Sequence, residues 1–252
     1  MEQRPLFSII TVTYNAADTV AVTMRSVAEQ TCTLYEHLIM DGASRDNTLQ
    51  SVNELSSART RVVSKPDHGI YDAMNNGLDC ATGDYLIFLN AGDAFHSADT
   101  LQQLADVILD NDYPGIVYGQ TNLVDADGNY VGPRHLTAPE VLTMDSFKHG
   151  MLVCHQAFVA LKRLAPRYDL QWRFSADYEW CLRCLKRSRR NVYTGTVLID
   201  YLSEGMTTQN RRKSLIERYR IMCRYYGTLP TLFRHIGFFA RDVRRKLFPK
   251  RK

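Results

Sequence analysis

Asp67 to Asp93 reads DHGIYDAMNNGLDCATGDYLIFLNAGD. Its last third decides the fold. Tyr85 to Leu89 is a short buried strand that runs straight into a turn holding Asn90, Gly92 and Asp93. A carboxylate at the carboxyl end of such a strand is where an α/β enzyme holds a metal ion and a phosphorylated ligand. An ordinary turn is the competing reading, since Asn, Gly and Asp are what turns favour.

Two upstream segments repeat the arrangement. Tyr35 to Met40 (YEHLIM) reads as a half-buried strand that ends in Asp41, Gly42, Ala43 and Ser44, with a helix opening near Asp46. Phe7 to Thr13 (FSIITVT) is a β-branched run that stops at Tyr14 and Asn15. Repeated strand, turn and helix units imply a parallel sheet, whose ligands sit beyond the carboxyl ends of the strands, so the three turns line one crevice. Taken singly, Asp41 could cap its turn, Asp72 could serve the first turn of a helix, and Tyr14 could be packing. Their joint placement at strand ends favours a site.

The crevice is not built for a dinucleotide. TYNAAD lacks the closely spaced glycines of a Rossmann turn, and no GxxxxGK[ST] is present. A diphosphate here needs a divalent cation and basic side chains, and Asp93 is the best candidate metal ligand.

The blocks SIITVTYNA, MDGASRDNT, KPDHGIYDAMNNG and ATGDYLIFLNAGD, in this order, resemble the nucleotide-sugar-binding half of family 2 glycosyltransferases, which have the GT-A fold. The GIYDAMN and LNAGD wording is closest to bacterial exopolysaccharide enzymes of the colanic acid type. The resemblance implies an α/β fold with a mostly parallel central sheet flanked by helices, followed by a C-terminal helical extension. It also implies a hexosyltransferase-like activity on a nucleoside-diphosphate sugar. Thr13, Tyr14 and Asn15 would border the nucleotide, and Asp41 would bond the base, usually uracil but also guanine or thymine. Asp72 would shape the ribose and diphosphate wall. Asn90 to Asp93 occupies the place of the family's DXD motif, with Asn90 where the first aspartate usually stands. Asp93 remains to bind Mg2+ or Mn2+, ions suited to oxygen ligands.

In the second half, Phe174 to Cys184 (FSADYEWCLRC) looks like the start of an amphipathic helix with Ser175 as cap and Asp177 in the first turn. SADYEW is similar to the family's ED motif, with Ala176 in the first acidic place, which makes Asp177 the expected base. It would take the proton of an acceptor hydroxyl as that oxygen attacks the anomeric carbon and the diphosphate leaves opposite, inverting configuration. The alternative is a helix-capping charge. Glu179, two positions on, points elsewhere. His155 and Gln156 in VCHQAF read as a strand, and the resemblance puts them on the acceptor side, although a structural role for His155 stays open. Asp125, Asp127 and Gly128 form a hairpin turn. Ser203 to Arg212 matches a loop that closes over the donor in family members, where Arg211 or Arg212 would grip the diphosphate; a solvated helix start is the bland alternative. Cys181 and Cys184 fall on one side of a helix, where cysteine acts as a small apolar residue rather than a zinc ligand.

At 252 residues, 45% hydrophobic and 23% charged, the chain can bury one large core. Residues 1–230 read as a single catalytic domain, with a nucleotide half over 1–114 and an acceptor half over 115–230. Without a signal peptide it is expected in the cytoplasm with reduced thiols. The net charge of +4 is uneven, because eight cations from Arg234 to Lys252 face a single Asp242. Ile236, Phe239, Val243 and Leu247 recur at helical spacing among them, so residues 231–252 are expected to form a basic amphipathic helix. Such a helix suits the anionic inner face of a membrane, where a lipid-linked glycan acceptor would be found. A tail packed on the protein body is the alternative. Two other functions remain to be weighed: a nucleic-acid-binding module using the tail, which leaves the acidic turns unexplained, and a sugar-nucleotide nucleotidyltransferase, whose glycine-rich basic loop FSIITVTYNA lacks. The expected partners are therefore a nucleotide sugar, a glycan acceptor and a membrane surface, and no nucleic acid.

Overall fold

The structure, a computed structural model, describes residues 4–203 and 211–236. The chain alternates strand and helix through its first half: β1 (Phe7–Thr13), α1 (Val20–Ala28), β2 (Tyr35–Asp41), α2 (Thr48–Leu55), β3 (Thr60–Ser64), α3 (Ile70–Cys80) and β4 (Tyr85–Phe88). Then come β5 (Ala94–Phe95), α4 (Thr100–Asp110), β6 (Ile116–Val124), β7 (Tyr130–Pro133), β8 (Phe158–Leu161), α5 (Ala176–Arg187), β9 (Asn191–Leu202) and α6 (Arg211–Tyr226). One sheet gathers every strand in the order β3-β2-β1-β4-β8-β6-β9-β5, with β7 beside β6.

β1, β2, β3 and β4 run parallel. β1 is buried along its whole length, which explains why it carries β-branched residues on both faces. Its Ile10 and Val12 pack with Ala73, Met74 and Leu78 of α3 and with α5, while Phe7 and Ile9 pack with Leu101, Leu104 and Ile108 of α4. Helices thus cover both faces. Gly77 lets α3 approach the sheet, because a Cβ there would lie 2.5 Å from Ile10 Cγ2.

The second half of the sheet is mixed. β8 runs antiparallel to both β4 and β6, and β6 pairs with β9 in parallel through two register shifts. Asp125, Asp127 and Gly128 make the hairpin between β6 and β7, with Gly128 at φ 81°. The chain departs from its sequence pattern at two places. His155–Ala157 is a 3₁₀ turn, and the strand begins only at Phe158. Ser175 precedes α5 but its hydroxyl makes no cap; it bonds Ser214 of α6 instead, because that packed helix offers a buried partner at 2.9 Å.

Candidate active site

The tips of β1, β2 and β3 meet at Asp41. Register sets Thr13 opposite Asp41 and Asp41 opposite Ser64, so both hydroxyls reach its carboxylate, at 3.1 and 2.7 Å. Ser44 adds its backbone N–H at 3.0 Å and its hydroxyl at 2.5 Å. Burial alone would raise the Asp41 carboxyl, but the donors from Ser44, Ser64 and Thr13 outweigh it and hold the group below its usual value. The β1 and β2 turns also lock together. Asn15 N–H donates to Ser44 Oγ at 2.9 Å, and Asn15 Oδ1 accepts from Arg45 N at 2.9 Å. Asn15 and Ala43 both hold positive φ, 49° and 59°, a strained setting for alanine.

Tyr14 lies exposed beside this knot, and a Cβ on Gly42 would sit 3.3 Å from its ring and 2.7 Å from Asp67 Oδ2. An open aromatic face, a bare glycine and a carboxylate therefore adjoin at the strand tips. Asp67 and Asp72 also shape the start of α3, the first accepting from Gly69 N at 2.7 Å and the second from His68 N at 3.0 Å.

The turn after β4 is docked on α1. Gly92, at φ 98°, donates its N–H to Thr23 Oγ1 at 2.9 Å, and the Thr23 hydroxyl donates to Asp93 O at 2.7 Å. The Asp93 side chain points inward, accepting from Gln156 Nε2 at 2.7 Å and from Leu202 N at 3.0 Å. Burial pushes its carboxyl up to about 7, against the lowering effect of those two donors. Asn90 Oδ1 is buried without a partner among the described residues.

Asn90, His155, Gln156 and Asp177 line one cleft of about 580 Å³, together with Tyr71 and Arg218, which sequence reasoning missed. Asp177, in the first turn of α5, accepts at Oδ1 from Tyr71 OH at 3.1 Å and from Tyr178 N at 2.8 Å. His155 stacks on Phe88 and shares a 2.7 Å hydrogen bond with Tyr168 OH; burial pulls it down to about 4, so it is neutral at physiological pH. Arg218 of α6 lies over the Tyr178 ring with its Nε buried and unpartnered among the described residues. Glu179 turns away into the core, bonded to Arg183 and Tyr225.

Thr13, Tyr14, Asn15, Asp41 and Asp72 thus stand at the strand tips, and Asn90, His155, Gln156 and Asp177 in the cleft. Arg212 is exposed at the start of α6. The Ser203 to Arg212 loop lies outside the described residues over 204–210, as do the side chain of Arg211 and the tail over 237–252. Cys181 and Cys184 are buried in the core, where burial pushes both thiols up.

Asn90 Oδ1, on the cleft side of the β4 turn, is open to a divalent cation, whereas Asp93 does not line the cleft and has both carboxylate oxygens engaged by Gln156 Nε2 and Leu202 N. No group of three His, Cys, Asp or Glu ligands exists among the described residues. Mg2+ and Mn2+ are commonly held by one or two protein oxygens and completed by phosphate and water.

The model of the family described as Glycosyl transferase family 2 matches residues 8–165, more than half of the chain. The chain is 33% identical over 186 residues to a PGL/p-HBAD biosynthesis glycosyltransferase of Mycobacterium bovis, covering 71% of this chain and 70% of that protein. It is 28% identical over 213 residues to the amylovoran biosynthesis glycosyltransferase AmsB of Erwinia amylovora, covering 77% and 69%. S. aureus TarS 1-349 in complex with UDP superposes with a TM-score of 0.70 at 19% identity, over 98% of this chain and 75% of that one. The mannosyltransferase PcManGT from Pyrobaculum calidifontis, in complex with GDP-Man and Mn2+, gives 0.64 at 18%, over 88% and 65%. The four-stranded parallel half, the acidic strand tips and these likenesses agree: the chain has the GT-A fold and belongs to glycosyl transferase family 2.

Proposed function

We propose that the protein is an inverting glycosyltransferase that moves a sugar from a nucleoside-diphosphate sugar, with UDP favoured, onto a growing surface polysaccharide. The observation that carries this reading is Asp177. Its carboxylate lines the same cleft as Asn90 of the DXD-like turn, with one oxygen held by two donors. The acceptor hydroxyl gives its proton to Asp177, the freed oxygen bonds to the anomeric carbon from one face, and the bond to the diphosphate breaks on the other. Tyr14, Asn15, Asp41 and Asp72 border the nucleoside, Arg211 or Arg212 grips the diphosphate, and His155 and Gln156 stand on the acceptor side. Arg218, a cation in the cleft whose Nε has no hydrogen-bond partner among the described residues, adds charge for the departing diphosphate. Asn90 would hold Mg2+ or Mn2+. When bound, that ion supplies neutralisation of the diphosphate; GDP-Man and Mn2+ in PcManGT lend support. The UDP complex of TarS and the likeness to an amylovoran enzyme favour a UDP-sugar and an exopolysaccharide product of the colanic acid kind.

Asp177→Asn tests the reading. Nucleotide binding should persist while turnover falls by roughly three orders of magnitude, within the range of a lost general base. Turnover within tenfold of the parent would remove Asp177 from the role.

A peripheral place on the cytoplasmic membrane's inner face, near a lipid-linked acceptor, has its own support. No helix among the described residues is long and apolar enough to span a bilayer. Leu229, Leu232, Phe233 and Ile236, spaced to share one face of the helix over 228–236, are all exposed, with Phe233 at 71%. Thr231 is buried on the opposite face, and His235 is half-buried there, meeting Tyr219 edge to face. The cations after Arg234 suit an anionic surface. Co-sedimentation with phosphatidylglycerol vesicles should drop sharply in Phe233→Asp; equal sedimentation of both proteins would remove this face from the membrane.

A further inference from the structure

Tyr71 and Asn75 stand four residues apart on α3 and therefore share a face. Asn75, buried, clamps the backbone of Tyr168 from both sides, with Nδ2 donating to Tyr168 O at 3.1 Å and Oδ1 accepting from Tyr168 N at 2.6 Å. That clamp sets the Tyr168 ring against Tyr71, with centroids 5.6 Å apart and planes 24° from parallel. The Tyr168 hydroxyl is pinned in turn by His155 at 2.7 Å. The Tyr71 ring is thereby held, and its hydroxyl reaches across from the first half of the chain to Asp177 Oδ1, 3.1 Å away. Tyr178 N–H is the second donor to the same oxygen, at 2.8 Å. Asp177 Oδ2 receives no donor among the described residues.

We propose that Tyr71 is a positioning residue for glycosyl transfer: by donating to Asp177 Oδ1 it fixes the rotation of the carboxylate and leaves Oδ2 to receive the acceptor's proton. The inference rests on Asp177 being the base. Atoms balance without Tyr71 changing state. The acceptor O–H breaks and its proton passes to Oδ2, the oxygen's electron pair forms the new glycosidic bond, and the pair of the old bond leaves with the diphosphate. Tyr71 keeps its own proton, since burial and then the Asp177 charge push its hydroxyl well above the usual range. The alternative is a purely structural tyrosine, serving the stack with Tyr168.

Tyr71→Phe separates the two, because it removes the hydroxyl and keeps the ring. The assay is nucleoside-diphosphate release from the nucleotide sugar that the parent protein turns over, with water or a simple glycoside as acceptor. The expected result is a fall in kcat of roughly 10- to 100-fold, with donor KM within about twofold and the melting temperature nearly unchanged. In an Asp177→Asn background the same substitution should change kcat by less than about twofold, since the hydroxyl then has no carboxylate to orient. An unchanged kcat in the single variant overturns the proposal. So does a full further loss in the Asp177→Asn background, which would show that Tyr71 acts independently. If Asp177→Asn alone leaves kcat intact, it is the base assignment that fails, and the single-variant arm reports that separately.

Discussion

Replacing Asp41 by asparagine should cost stability in an amount that follows from its four donors. Thr13 Oγ1, Ser44 N, Ser44 Oγ and Ser64 Oγ all point at one buried carboxylate. An amide keeps one acceptor oxygen for Ser44 N–H, which cannot turn, while the hydroxyls can rotate to accept from the new NH₂. What is lost is charge assistance, about 1 kcal/mol per bond, for a ceiling near 4 kcal/mol. The relieved cost of burying a charge returns part of it, leaving about 2 kcal/mol. For a chain of this size that is a drop in melting temperature of about 4–8 °C. The pH dependence has a definite sign. Because the Asp41 carboxyl is held below its ordinary 3.8, its contribution is present above that value and disappears as pH falls through the lower folded value. Urea unfolding of Asp41→Asn and the parent at pH 7 should therefore differ in midpoint at equal slope, and the gap should close only at pH below 3.8. A difference under about 0.5 kcal/mol at pH 7, the size expected of an ordinary surface change, would refute the reasoning.

His37, fully buried against Thr11 Oγ1 at 2.9 Å, is pulled by burial to about 3, so the unfolded chain takes up its proton first as pH falls below 6.5. Stability should thus fall by about 2 kcal/mol between pH 7 and 5 from this residue, and His37→Gln should flatten that slope in urea titrations. Gly77→Ala should destabilise by about 1–2 kcal/mol despite the better helix propensity, because the added carbon would meet the branched, immobile Ile10 Cγ2; a rise in melting temperature would show that α3 can shift. Asn90→Ala should abolish the increase in UDP affinity caused by Mn2+, measured by calorimetry, while the protein still folds. An undiminished Mn2+ effect would place the cation elsewhere.

The first half of the fold was legible because its signals are local. FSIITVT, YEHLIM and YLIFL each announce a strand, and each stops at a polar turn that the sheet then aligns. Asp41, Asn90 and Asp93 could be placed at strand ends for the same reason. What the sequence hid depends on pairings between distant residues. Nothing near Tyr71 points to Asp177, 106 positions later, and nothing near Asn75 points to Tyr168. The motif drew attention to Asp72, whose carboxylate bonds the nearby His68 N–H, and not to its two neighbours on the inward face. VCHQAF has strand composition, yet His155 turns in a 3₁₀ coil, stacking on Phe88 and bonding Tyr168. Ser175 has the right residue type for a cap, but a packed helix offered its hydroxyl a closer partner. Arg218 went unnoticed because a lone arginine in α6 carries no pattern until Tyr178 lies beneath it.

The double attachment of α3 bears on how members of this family can be recombined. A chimera joined near Tyr113 to Gly115 would take α3 from one parent and the segments that hold Tyr168 and Asp177 from another, severing the Asn75 clamp and the Tyr71 contact together. Exchanging donor specificity by transplanting the first half should therefore succeed only when Tyr71 and Asn75 are kept compatible with the recipient, so the helix travels functionally with the part of the chain it does not adjoin.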